Sequence, residues 1–325
     1  MPPKKKRRSP GAGAAPPPPP PGPQALAEFL EWPTLLVRRM LDQDPAAAAA
    51  WATFAKSGFD IHSDFSGMMG PECALKLMQM AWQEAGVAVP EDMLSFHRAT
   101  DINAVSQEIM MASDAQHVFN SVTERVAIDG LKEYRPASDA SSAQKERDYS
   151  SMCDWLERNR SSCFPAAGTQ RCLRHNKQCP TTAGPSKGRT RMAMAGTLCT
   201  PFTNQGTRSG LAHEGMESFY CWRSEVEEAC MDIIALENSD LFPAASLWNP
   251  KGYTQINFIF SPSDPELIEH LLISHIVCGG VAGLPAGLGP GAAAARPLQK
   301  CKFHKCRKIH KWVRNRYIRF FVKCI

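Results

Sequence analysis

Two apolar patterns alternate between Phe59 and Pro262: short continuous or alternating apolar runs, and longer segments in which apolar residues recur every three or four positions. FDIHSDFSGMMGPE (59–72) reads as a strand running into a turn, and CALKLMQMAWQEAG (73–86) as a helix with one apolar face. MLSFHRATDIN (93–103) reads as a second strand ending in an acid, AVSQEIMMAS (104–113) as a helix, and HVFNSVTERV (117–126) as a short third strand entering a helix. Further on, RMAMAGTLC (191–199), MDIIALEN (231–238) and YTQINFIFSP (253–262) are strand-like, and MESFYCWRSEVEEAC (216–230) is helical. Alternation of this kind predicts an α/β domain, a mostly parallel sheet with helices on both faces.

The flanking segments break the pattern. Residues 9–24 (SPGAGAAPPPPPPGPQ) predict an extended spacer, because consecutive prolines fix φ and remove backbone donors. Residues 25–56 read as two helical pieces broken near Pro33 and Pro45. Residues 137–190 are polar and irregular and read as an insertion; residues 277–295 are rich in Gly and Ala and lead into a basic tail. The expected organisation is therefore an unstructured start (1–24), a folded domain (25–275) and a tail outside it (276–325).

Charge sharpens this division. The chain has 325 residues and a net charge of +5, yet KKKRR (4–8) holds five basic residues and 296–325 eleven with no acid, leaving 21 basic residues against all 32 acids in between. An acidic body with basic ends favours contact with polyanions through the ends. PKKKRR (3–8) resembles a nuclear import signal, so a nuclear location is expected. Twelve scattered cysteines, no apolar leader and no long apolar span predict reduced thiols and no membrane segment. Basic residues interleaved with Phe303, Trp312, Tyr317 and Phe320 suit phosphates and stacked bases, and equally a solvated helix.

The candidate chemistry lies at strand ends. FSGMMG (65–70) is a glycine-containing turn after the first strand, and Asp101 is an acid at the tip of the second; in a Rossmann-like sheet these are the two contacts of a nucleoside-bearing cofactor. Asp101 also suits a helix N-cap. Neither GxGxxG nor GxxxxGK[ST] occurs, which disfavours a dinucleotide or nucleoside triphosphate. In AGTLCTPFTNQG (195–206), Cys199 follows a small-residue strand and precedes a polar loop with Gly206, Gly210 and Gly215, a placement that exposes a thiol.

In order along the chain, DFSGMMG (64–70), TDIN (100–103), LCTPFT (198–203) and LENS (236–239) resemble the motifs of the cytosine-5 DNA methyltransferase family. The resemblance spans roughly residues 57–264 and implies a Rossmann-like S-adenosylmethionine-dependent methyltransferase fold. It implies S-adenosylmethionine as cofactor, held by Phe65, Ser66, Gly67, Gly70, Asp101 and Ile102. It implies Cys199 as the nucleophile that adds to cytosine, Glu237 as the acid facing the base, Asn238 as the residue fixing the loop, and DNA as partner, with RNA as the substrate of one branch. A catalytically inactive relative that binds nucleic acid or cofactor is the alternative.

Three positions depart from the family pattern: Leu198 replaces the proline before the nucleophile, Met69 replaces a glycine, and Ser121 replaces an acid after the third strand. Beyond Asp264 the family's arginine-rich motif, recognition domain and closing helix are not found. Cys163, Cys172, His175 and Cys179 could make one zinc site, and Cys301, His304, Cys306 and His310 another. Both lack paired CxxC knuckles, so no metal ligand is assigned.

Overall fold

The computed structural model describes residues 26–43, 49, 52–53, 55–182, 188–202, 206–239, 242–243, 247, 253–260 and 316–323. Its centre is a seven-stranded sheet in the order β3-β2-β1-β6-β7-β9-β8. The strands are β1 Phe59–Asp64, β2 Leu94–Thr100, β3 His117–Phe119, β6 Thr190–Gly196, β7 Ile233–Ser239, β8 Tyr253–Phe260 and β9 Arg316–Lys323. The first five in that order are parallel, and β9 is antiparallel to both of its neighbours. Outside the sheet, β4 Thr169–Cys172 and β5 Lys177–Pro180 form a hairpin. The fold is α/β with a mostly parallel sheet, as the apolar pattern predicts, and is Rossmann-like, as the resemblance implies.

Side-chain alternation assigns the two faces. Phe59, Ile61, Phe96, Met192, Met194, Ile233 and Ala235 form one apolar layer with Leu75 of helix α2 (Gly70–Glu84), which in turn packs on α1 (Leu26–Gln43). On the other face Ala193, Ala195, Ile234 and Leu236 join the core formed with α4 (Ser142–Arg158) and α5 (Gly215–Glu228). Helix α3 (Ala104–Ala112) follows β2. All six residues of β1 are buried, as expected of a central parallel strand covered on both sides.

Four expectations need correction. Helix α1 runs through Pro33 rather than breaking there. The segment after β3 is a single 3₁₀ turn, Thr123–Arg125, instead of a helix. The segment 137–190 contains α4, whose buried stripe of Tyr149, Met152 and Leu156 is narrow among charged residues, and the β4–β5 hairpin. The basic tail is not wholly outside the domain: residues 316–323 are β9, inserted between β7 and β8. Tyr317, Ile318, Phe320, Phe321 and Val322 favour a strand strongly enough to outweigh the nearby arginines.

A register shift beside Ile61 pairs Ile61 with Phe96 but His62 with Arg98, so His97 is the extra residue of a bulge. His62 is fully buried, and neither ring nitrogen has a hydrogen-bond partner among the described residues. Burial, Arg98, His97 and Arg125 hold its pKa well below the ordinary value, while Asp64 opposes them. A depressed histidine contributes stability above its unfolded pKa of about 6.5 and loses it as pH falls. Denaturant midpoints measured across acidic pH should therefore decline below pH ~6.5, and His62→Leu should reduce that decline; an unchanged slope would show that His62 is not the group responsible.

Candidate functional site

A parallel sheet binds ligands at its carboxyl edge, where the chain order reverses and the outgoing loops diverge. Here the reversal lies between β1 and β6, since β2 and β3 extend one way from β1, and β6 and β7 the other. Asp64 pairs with Ala195 and Gly196 with Glu237, so the ends of β1, β6 and β7 are level. The residues singled out by the sequence leave this one edge.

The turn after β1 is built from left-handed residues: Phe65 has φ 55°, Gly67 φ 51° and Met69 φ 58°. Such angles cost a non-glycine residue on the order of 1 kcal/mol, and the neighbouring bonds hold the turn against that cost. Ser66 is central to them. Its N–H donates to the Thr100 carbonyl at 3.0 Å, its Oγ accepts from the Thr100 N–H at 3.3 Å, and it shares a 2.9 Å bond with the Ser63 hydroxyl. Met69 adopts a backbone conformation that glycine favours, and its buried side chain, packed with Ala99, Met110 and Val118, offsets the strain.

Asp101 closes the same turn from β2. Its Oδ2 accepts from the Gly67 N–H at 2.9 Å and its Oδ1 from the Asn103 N–H at 2.8 Å. Asp101 is not the helix cap. Asn103 caps α3 by accepting from the N–H groups of Val105 and Ser106. A side chain at Gly67 or Gly70 would meet nothing within 4 Å, so the turn opens outward, and Met68 and Ile102 are each 75% exposed beside it.

At the other half of the edge, the Asn238 amide donates to Thr197 Oγ1 at 2.7 Å and to the Thr197 carbonyl at 3.4 Å. This ties β7 to the loop two residues before Cys199. Cys199 is partly exposed, and its carbonyl accepts from the Phe202 N–H at 2.9 Å, which starts a 3₁₀ turn. Gly196 allows a close approach: a Cβ there would lie 3.4 Å from the Phe65 carbonyl oxygen and 3.7 Å from Glu237 Oε2. The exit of β1 and the Glu237 carboxylate therefore both lie against Gly196, the last residue of β6 before the cysteine loop. Leu198 lies over Gly215 at the start of α5, and Arg208 is exposed in the intervening loop.

Beneath the turn lies a group of residues that sequence reasoning missed. Arg98 and Arg125 each bind both Asp64 and Glu225 at 2.7 Å, closing a four-membered ring of charges with almost no exposure. Arg98 also donates to the Thr181 carbonyl at 2.5 Å and Arg125 to Gln170 Oε1 at 3.1 Å. Burial alone would raise the Asp64 pKa, but Arg125 and Arg98 outweigh it and hold the carboxyl well below the usual range. The available signal was an arginine in the middle of the second predicted strand.

The suggested zinc set also changes. Cys163 packs in the core with α4 and α5, while Cys172 and Cys179 lie against Phe119 in a separate cluster. The residue that joins Cys172, His175 and Cys179 is His117 at the start of β3. The second set, Cys301, His304, Cys306 and His310, lies outside the described residues, as do PKKKRR, the spacer and Thr203.

A charged depression lined by Asp60, Lys76, Asp114 and Arg189 opens at the amino end of β1, away from these groups. Among the described residues no helix is long and apolar enough to cross a membrane. No protein-family model matches the chain, and no curated protein matches it.

Proposed function

We propose that this chain is an S-adenosylmethionine-dependent cytosine-5 methyltransferase acting on DNA. The observation that carries the proposal is the meeting, at one sheet edge, of a glycine turn bonded to Asp101 with a cysteine loop bonded to Asn238 and flanked by Glu237. The motif resemblance supplies the chemistry that such a pairing serves.

The turn suits the cofactor on its own terms. The Asp101 oxygens retain acceptor capacity for ribose hydroxyls after binding two backbone N–H groups, Gly67 leaves space for a close ligand, and exposed Ile102 offers an apolar face to a base. When bound, S-adenosylmethionine supplies the methyl group for carbon 5. The Cys199 thiolate donates an electron pair to carbon 6 of an extruded cytosine, which raises electron density at carbon 5. Glu237 in its acid form holds a proton at ring nitrogen 3, where negative charge builds. After transfer the carbon 5 proton leaves to water and the carbon–sulfur bond breaks, returning the pair to Cys199.

Calorimetry with purified protein tests the cofactor half. Binding of S-adenosylmethionine is expected, and Asp101→Ala should weaken it about 10- to 100-fold, the loss of a charge-assisted hydrogen bond of about 1.5–3 kcal/mol. No binding, or equal affinity in a folded variant, refutes this assignment. Transfer of a labelled methyl group to DNA tests the activity; transfer to RNA alone would reassign the substrate, and cofactor binding without transfer to either would favour the inactive-relative reading. For PKKKRR we propose nuclear import, to be checked by the location of the chain with and without residues 3–8.

A further inference from the structure

We propose that His117, Cys172, His175 and Cys179 form a structural zinc site that clamps the β4–β5 hairpin to the edge of the sheet. The four residues converge from two parts of the chain. Cys172 ends β4, Cys179 lies in β5, and His175 occupies the turn between them, next to Asn176 with φ 51°. His117 begins β3, and the hairpin reaches that strand through the Leu173 N–H, which donates to the Val118 carbonyl at 2.8 Å.

The spacing fits a tetrahedral ion. His117 Nδ1 lies 3.3 Å from His175 Nδ1, which is 3.5 Å from Cys172 Sγ and 3.4 Å from Cys179 Sγ; all four ligand atoms lie within 4.8 Å of one another. With Zn–S of about 2.3 Å and Zn–N of about 2.0–2.1 Å, a regular tetrahedron separates its ligand atoms by about 3.3–3.8 Å. Two thiolates and two imidazoles select zinc over hard cations, and a complete set of four protein ligands makes the site closed and structural. A hydrogen-bonded cluster would not require both imidazoles and both thiols to crowd around one point.

The clamp also explains what this small hairpin does for the domain. Gln170 within the hairpin and the Thr181 carbonyl just after it bind Arg125 and Arg98, two members of the buried charge ring beneath the β1 turn. Zinc therefore fixes the outer wall of the ring that holds Asp64. The site stands independently of the proposed methyl transfer.

The test uses the full chain purified under reducing conditions. Elemental analysis should find one zinc per chain after incubation with zinc and removal of the excess, and cobalt substitution should give the visible bands of a tetrahedral ion with thiolate charge transfer. His175→Ala, at an exposed position, should lose most of the metal. His175→Cys should retain it and gain charge-transfer intensity from a third thiolate, an outcome that misfolding cannot mimic. Cys163→Ala should keep full stoichiometry. Absence of bound zinc, an octahedral cobalt spectrum, equal metal loss in Cys163→Ala, or a Cys172–Cys179 disulfide found by mass spectrometry in the reduced, zinc-treated protein would each overturn the proposal.

Discussion

Cys199→Ser is expected to abolish covalent capture of an oligonucleotide containing 5-fluorocytosine, with wild-type protein and cofactor giving a denaturant-stable adduct. Fluorine at carbon 5 cannot leave as the proton does, so an enzyme that adds sulfur to carbon 6 and methylates carbon 5 stays attached to the base. A serine hydroxyl is far less ionised than a thiol at neutral pH and a weaker nucleophile, so the adduct should fall below detection. Glu237→Gln keeps the shape beside Gly196 but removes the acid; it should slow capture about 10²- to 10⁴-fold, the usual contribution of general acid catalysis, and leave cofactor affinity nearly unchanged. If wild-type protein binds cofactor yet captures neither DNA nor RNA carrying this base, the catalytic role of Cys199 is wrong.

The second large effect concerns stability. Asp64→Asn should cost about 3–5 kcal/mol, because it leaves two buried guanidinium groups facing Glu225 alone. For a domain of this size that corresponds to a fall in Tm of roughly 6–20 °C. The pH dependence follows from the depressed Asp64 pKa: its stabilisation is complete above the ordinary carboxylate value of about 4 and is lost as pH falls below it. The wild-type protein should show this acid-dependent loss, and Asp64→Asn should lack it. Asp64→Leu combined with Arg125→Met removes one carboxylate and one guanidinium together and should recover part of the loss, since Arg98 and Glu225 remain paired. A melting temperature unchanged by Asp64→Asn would contradict the assigned energetics.

What could be read from the sequence was local. The turn at 65–70, the acid at 101 and the cysteine at 199 each follow a strand, and the acid at 237 lies near the end of one; parallel strands bring their ends to one edge without further information. What could not be read depends on partners far along the chain. Arg98 is explained by Glu225, 127 positions away, and the fourth member of the Cys/His cluster is a histidine on β3 rather than a nearby cysteine. Helix α4 was hidden because only Tyr149, Met152 and Leu156 mark its inner face. Strand β9 is masked in the sequence because its basic residues interrupt the apolar run. Asn103, not Asp101, caps α3: both suit the role by type, and the Gly67 contact that occupies Asp101 comes from another strand.

The position of β9 dictates an order of assembly during synthesis. Strand β8 touches the rest of the sheet through β9, yet residues 261–315 separate the two, so a ribosome finishes β8 well before the strand that attaches it exists. At about 5–20 residues per second that interval is on the order of 3–11 s. Throughout it β7 has an unpaired edge, the kind of edge on which strands of different chains associate. Glu237 and Asn238 lie on β7, so the strand that carries half of the candidate site keeps one edge open until Arg316–Lys323 emerges.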